Sequence, residues 1–227
     1  NPPLGIWLPE CAYYENLDEL MAEAGLRYAV LDGHGLLNAV PRPRYGLYAP
    51  ICTNKGVAFF GRDSESTLPV WSARDGYPGN SNYREFHRDL GWDLSIENLK
   101  KIGIKEKRPL GIKLFKISSK NTSLDNKQEY DPKAALETVK KDAEDYLIDR
   151  KKQLQKLQES MRIEPLLIAP FDAELFGHWW FEGPQFLSQL FLNSNKEGIK
   201  LITLKESLKI KNQIQLCNPS PSSWGQG

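Results

Sequence analysis

Two carboxylates stand at the ends of apolar runs. Gly5-Ile6-Trp7-Leu8 leads through Pro9 to Glu10, and Pro165-Leu166-Leu167-Ile168-Ala169-Pro170-Phe171 leads to Asp172. Short apolar runs of this kind read as buried strands, which puts each acid at a strand's C-terminal tip. Glu10 is flanked by Trp7 and Tyr13-Tyr14, and Asp172 by His178 and Trp179-Trp180. Aromatic surroundings partly desolvate a carboxyl and favour its protonated form. Held roughly 5 Å apart, one carboxyl can attack an anomeric carbon while the other gives its proton to the leaving oxygen. Each acid also has a plainer reading, Glu10 as a cap or ion-pair partner near a helix start and Asp172 as a helix N-cap. Glu174, two residues beyond Asp172, fits either role or neither.

The other polar and aromatic candidates cluster near these acids. The three histidines, His34, His87 and His178, form no H-x-x-x-H or H-E-x-x-H pattern, so a dedicated metal centre is not expected. His178 could donate to a sugar hydroxyl or be satisfied within the fold, and His34, in Asp32-Gly33-His34-Gly35 after a strand, has a similar standing. Trp7, Trp179, Trp180 and Trp224 are candidate stacking platforms. On an extended segment neighbouring side chains point opposite ways, so one of Trp179 and Trp180 is expected to face a pocket.

The elements that must position these groups alternate. After the first strand, Asn16 to Ala24 reads as a helix capped by Asn16 and stopped by Gly25, and Arg27 to Asp32 as a second strand. Residues 33–95, rich in proline and aromatics, read as an irregular active-site loop region. Gly111 to Ile117 is a third strand candidate, and 118–129 a flexible polar loop. A long helix is expected over about 132–161, with Asp131 as cap and Pro132 first; Arg150 interrupts its apolar face and suggests a surface helix. A helix from Pro184 and a short strand from Lys200 to Thr203 follow. Strands alternating with helices indicate an α/β fold with a parallel sheet, open or closed into a barrel, and barrel chemistry sits at the C-terminal strand ends.

Bulk properties narrow the class. The 227 residues carry a formal net charge of only +1, so neither nucleic acid nor a membrane is expected as partner. Three scattered cysteines fit a reducing compartment, and the chain lacks an apolar run near the ~20 residues of a membrane span. A cytoplasmic location is the default expectation. The sequence reads as a piece cut from a longer protein.

Gly5-Ile6-Trp7-Leu8-Pro9-Glu10-Cys11-Ala12-Tyr13 resembles the nucleophile motif of glycoside hydrolase family 57, and looks most like that of its α-1,4-glucan branching enzymes. Pro170-Phe171-Asp172-Ala173-Glu174-Leu175-Phe176-Gly177-His178-Trp179-Trp180 resembles the family's acid/base motif. Ser222-Ser223-Trp224-Gly225 is similar to a later motif whose Trp lines the acceptor region. The resemblance implies Glu10 as nucleophile, Asp172 as general acid/base, Trp224 as a glucan contact, and His178 and Trp179 as pocket residues. It implies part of an incomplete (β/α)₇ barrel, lacking its first strands and the following helical domain, so that a partner chain supplying the missing strands is conceivable. It implies an α-glucan substrate and no cofactor. The aromatic of the loop around 53–72 that would meet the acceptor stays unassigned.

Three readings follow. A retaining transglycosylase would cut an α-1,4 bond through a glucosyl–Glu10 intermediate and pass the chain to a sugar 6-hydroxyl. An α-amylase would differ in letting water resolve that intermediate. A glucan-binding piece without turnover is the third. A metal-dependent deacetylase would need clustered histidines, which the sequence lacks.

Overall fold

The computed structural model describes residues 2–210 and 214–225. In chain order its elements are β1 (Gly5–Ile6), α1 (Leu17–Glu23), β2 (Tyr28–Leu31), α2 (Gly33–Leu37), β3 (Ile51–Cys52), β4 (Ala58–Gly61), α3 (Ser64–Trp71), α4 (Leu90–Asp93), α5 (Ile96–Lys101), α6 (Pro132–Ser160), α7 (Gly183–Asn193), α8 (Leu204–Ser207) and β5 (Gln215–Leu216). They divide into two compact units. The first holds residues 1–67, 149–170 and 200–227, and the second 68–148 and 171–199.

The first unit is built on one sheet in the order β1-β2-β4-β3-β5. β1 and β2 pair in parallel with Gly5 opposite Tyr28, β2 and β4 with Leu31 opposite Gly61, and α1 lies between β1 and β2 in sequence. This is a mostly parallel α/β fold. The expectation of parallel strands needs one correction, because β3 runs antiparallel to β4. Ala29, Leu31, Ile51 and Phe59 come from the strands, and Leu36, Leu8, Met21 and Tyr13 pack with them in the main core cluster. Gly25 (φ 79) ends α1 as expected, its amide returning to Ala22 O at 3.0 Å. Asn16, expected to cap α1 by its side chain, is itself left-handed (φ 68), and it is its carbonyl that accepts, from Glu19 N at 3.1 Å.

Residues 33–95 are less irregular than their composition suggests, since α2, β3, β4, α3 and α4 all fall within them. β4 is the four-residue stretch Ala58-Phe59-Phe60-Gly61, buried throughout and therefore without the alternation that marks a half-exposed strand. Three strand expectations also fall short. Residues 165–171 run extended, with Leu166 N donating to Tyr48 O and Asp63 N to Ile168 O, but form no ladder. Residues 200–203 are likewise outside the sheet, and 111–117 contribute only the isolated bridges Arg84–Lys116 and Phe115–Glu129.

α6 begins as its sequence predicts. Asp131 Oδ1 accepts from the amides of Lys133 (2.9 Å) and Ala134 (3.3 Å), ahead of Pro132 at the first turn. Arg150 is a correction, because its residue is only 7% exposed. Its guanidinium donates to Glu65 O and pairs with the Glu65 carboxylate at 3.7 Å. A neighbouring clasp fixes the end of β4, where Gln153 Nε2 donates to Asp63 Oδ2 at 2.9 Å and Ser66 Oγ donates to the same oxygen. Asp63 and Gln153 are buried, and pairing each polar atom is what makes such burial tolerable.

The second unit centres on aromatic rings. Trp180 packs against Phe186 (centroids 5.0 Å), Tyr83 (5.7 Å) and Phe176 (6.0 Å), and Tyr146 joins Phe186 at 5.8 Å. Tyr83 Oη donates to Asp142 Oδ2 at 2.6 Å. Beside this core, the buried Glu182 accepts from Arg84 N at 3.0 Å, while the Arg84 guanidinium lies 3.1 Å from the centre of the Phe181 ring.

Burial pushes the Glu182 carboxyl above its ordinary value of 4.5, and bonds from Tyr130 and the Arg84 amide oppose that only in part. Because the raised value favours the protonated folded state, the folded chain holds more protons than the unfolded one between 4.5 and the raised value. Stability contributed by this group is therefore present below pH 4.5 and lost as the pH rises through that window. Glu182→Gln keeps an acceptor for the Arg84 amide, so we expect a folded variant whose melting temperature falls less steeply above pH 4.5. Thermal scans across pH 4 to 8 check this, and an unchanged slope would refute it.

Candidate active site

Glu10 follows β1 at the turn Pro9–Cys11, where Cys11 N returns to Leu8 O and Ala12 N to Pro9 O, both at 3.0 Å. Both Glu10 (φ 57, ψ 19) and Cys11 (φ 45) take left-handed backbone conformations. Neither is glycine, and each such residue costs on the order of 1 kcal/mol or more, a strain found where structure serves a site. The plainer expectation, a helix cap, does not describe Glu10, which stands exposed inside the 3₁₀ turn Pro9–Cys11, where Leu8 holds the cap position.

The segment 218–225 closes onto this turn. Val40 and Asn218 exchange backbone bonds, Ser220 N donates to Gly35 O at 2.9 Å, Tyr13 and Ser222 exchange two bonds, and Trp224 N donates to Glu10 O at 2.9 Å. The approach is close enough that a Cβ on Gly35 would collide with Ser222 Oγ, while one on Gly225 would lie 3.2 Å from Glu10 Oε2. A glycine at 35 is thus required by the packing, whereas at 225 the neighbour is the flexible end of an exposed side chain that can yield. Trp7 meets Trp224 edge to face, with centroids 5.6 Å apart and planes at 67°.

Two residues that the sequence reading passed over complete this cluster. Arg62, directly after β4, lies over the Trp224 ring at 5.3 Å and donates to Asp32 Oδ2 at 3.1 Å. Asp32, directly after β2, takes His34 Nδ1 on its other oxygen at 2.7 Å and accepts from His34 N at 3.3 Å, capping α2. The Asp32 amide returns to Cys11 O at 3.0 Å. Asp32 and Arg62 side chains are 14% and 13% exposed, so the pair is largely withdrawn from water. Cys11, beneath them, has its thiol pushed up to about 12 by burial, with Arg62 opposing and Asp32 and Glu10 reinforcing. The thiol is thus an inert wall and not a nucleophile. A signal for both residues existed, since each is a charged residue ending an apolar run, as Glu10 is.

The second unit holds the other candidates. Asp172 Oδ1 accepts from Glu174 N at 2.9 Å, the turn that starts a helical segment, so capping describes part of what Asp172 does. That segment is a π-helix, Leu175–Trp179, and not the extended stretch assumed from sequence. π-turns are uncommon and concentrate at functional sites. The Glu174 Oε1 atom receives Trp179 Nε1 at 3.1 Å and faces His178 Nε2 at 3.3 Å, so Glu174 holds both side chains. Trp179 stays 48% exposed. Trp180 is a correction, because at 2% exposure it belongs to the core described above and not to a surface that meets substrate. Among the described residues, no group of three His, Cys, Asp or Glu side chains is arranged to hold a metal ion.

Trp7, Glu10, His34 and Trp224 are therefore brought together in the first unit through Asp32 and Arg62. Asp172, His178 and Trp179 lie together in the second. No helix among the described residues is long and apolar enough to cross a membrane.

Comparison with known proteins adds the chemistry of relatives. The model of glycosyl hydrolase family 57 matches residues 1–217. A probable 1,4-alpha-glucan branching enzyme of Mycobacterium tuberculosis (strain CDC 1551 / Oshkosh) is 34% identical, with 99% of this chain and 38% of that protein aligned. Among solved structures, the alpha-amylase AmyC from Thermotoga maritima superposes with a TM-score of 0.91 at 43% identity, covering 98% of this chain and 43% of AmyC. The GH57-type branching enzyme from Pyrococcus horikoshii gives 0.81 at 28% identity, covering 98% and 40%. The chain thus spans about two fifths of the length of these relatives. Trp224 lies beyond the residues that the family model matches.

Proposed function

The chain belongs to glycosyl hydrolase family 57 and forms part of its incomplete (β/α)₇ barrel, and from that premise we propose that it serves a retaining enzyme acting on α-1,4-glucans. Glu10 is the nucleophile and Asp172 the general acid/base. Glu10 attacks the anomeric carbon as the glycosidic bond breaks, and the proton of Asp172 goes to the leaving oxygen. Asp172, now ionised, takes the proton of the incoming hydroxyl as that oxygen displaces Glu10 from the anomeric carbon. Trp7, Trp224, His178 and Trp179 bind the glucan, with His34 contributing a hydroxyl contact. The observation that carries this reading is the pair of left-handed residues at Glu10 and Cys11, inside a shell of Trp7, Trp224, Arg62 and Asp32.

The acceptor is a sugar 6-hydroxyl, which makes the reaction branching, and the similarity to the branching enzymes supports it. The similarity to AmyC favours a second reading in which water is the acceptor. Incubating amylose with the protein while following iodine colour and reducing ends separates them. Loss of colour with few new ends is expected, many new ends would indicate hydrolysis, and no change in either would refute both. The three cysteines are unpaired, which suits a cytoplasmic setting.

Trp179→Ala removes a half-exposed indole from the proposed glucan contact. We expect maltoheptaose affinity to fall about tenfold, near 1.4 kcal/mol, read by calorimetry. Unaltered affinity would remove Trp179 from the binding set.

A further inference from the structure

Resting on that glucan-binding reading, we infer that Phe86 is a positioning residue, whose ring holds the Trp179 indole in the plane on which a sugar stacks. The two rings lie 4.3 Å apart at 26°, a parallel stack between groups 93 positions apart in the chain. Trp179 is fixed at its edge as well, its Nε1–H given to Glu174. One face on Phe86 and the N–H on Glu174 leave a rigid indole that is still 48% exposed. The surface left exposed is available for the apolar face of a pyranose to stack on. Freezing the indole beforehand lowers the ordering cost of binding.

Phe86 is itself held by a polar frame. Glu182 accepts from Arg84 N at 3.0 Å, which ties the backbone two residues before Phe86 to a carboxylate three residues after Trp179. Glu85 N donates to Phe115 O at 2.9 Å, and the buried Glu85 carboxylate accepts from His87 N at 2.9 Å and pairs with Lys127 at 3.1 Å. Lys113, itself paired with the buried Asp89 at 3.1 Å, stands 5.4 Å from the Phe86 ring centre. The neighbours on both sides of Phe86 are thus fixed by buried charges, which sets where its ring can lie.

The test compares Phe86→Ala, Phe86→Tyr and the wild-type protein in calorimetric titrations with maltoheptaose, and in kinetics on amylose. Phe86→Ala is expected to weaken binding and raise KM by about fivefold to tenfold, with kcat within about twofold. Phe86→Tyr, which keeps the stacked ring, is expected to restore both to within about twofold of wild type. Wild-type affinity and KM in Phe86→Ala would overturn the inference while leaving the glucan reading intact. So would loss of kcat with KM unchanged, or a tyrosine variant as impaired as the alanine one. Wild-type protein that binds no maltoheptaose would overturn both.

Discussion

Glu10→Gln is expected to lower turnover of α-glucan by about 10⁴-fold or more, because the amide cannot form the glycosyl–enzyme bond on which the proposed two-step mechanism depends. The replacement nearly preserves shape. Glu10 is exposed, its main-chain bond from Trp224 N is untouched, and the backbone strain at φ 57 is the same for either side chain. The melting temperature is therefore expected to stay within about 2 °C of wild type, as for exposed substitutions away from structural features. Activity and thermal unfolding measured on one preparation separate a chemical defect from a folding one. Substantial turnover in the variant would remove Glu10 from the nucleophile's role.

Arg62→Ala carries the second large effect, and it falls on stability as well as on function. Arg62 balances the withdrawn carboxylate of Asp32 and lies over Trp224. Removing it leaves Asp32 with His34 as its remaining side-chain partner in this cluster. Stripping one member from a largely buried pair costs about 3 kcal/mol, or roughly 6 to 12 °C in a chain of this size. Trp224 also loses the cation that packs its face, so KM for glucan is expected to rise about tenfold. Lysine is a poor substitute, since its point charge cannot reproduce the planar stack and the bond to Asp32 together. A melting temperature and KM both at wild-type values would show that the Arg62–Asp32 link neither supports the fold nor shapes the site.

The Glu10 side of the candidate site is visible in the sequence because an apolar strand ending in a carboxylate is a compact local pattern, whereas the apolar run before Asp172 joins no ladder. β1 with Glu10 and the start of α6 at Asp131-Pro132 needed no distant information. One of Trp179 and Trp180 does face outward, but the sequence could not tell which, because Trp180 enters the core through contacts with Tyr83, Phe176 and Phe186 that only the fold brings together. Arg150 misled because a charge on an apolar face can be buried when a carbonyl waits for it, here that of Glu65. β4 and Arg62 were hidden among prolines, and their meaning comes from the sheet, where β4 lies beside β2 and sets Arg62 against Asp32. Phe86 has no sequence signal at all, since its partner is 93 residues away and the stack depends on Glu182 joining the two segments.

The most direct test of the central claim is to trap the intermediate. The protein would be incubated with a fluorinated glucosyl fluoride that forms the glycosyl–enzyme bond quickly and breaks it slowly, then digested and examined by mass spectrometry. The account predicts a single glucosyl adduct on the peptide containing Glu10, absent from the Glu10→Gln variant. An adduct on a different carboxylate, or unmodified protein that still turns over glucan, would contradict it.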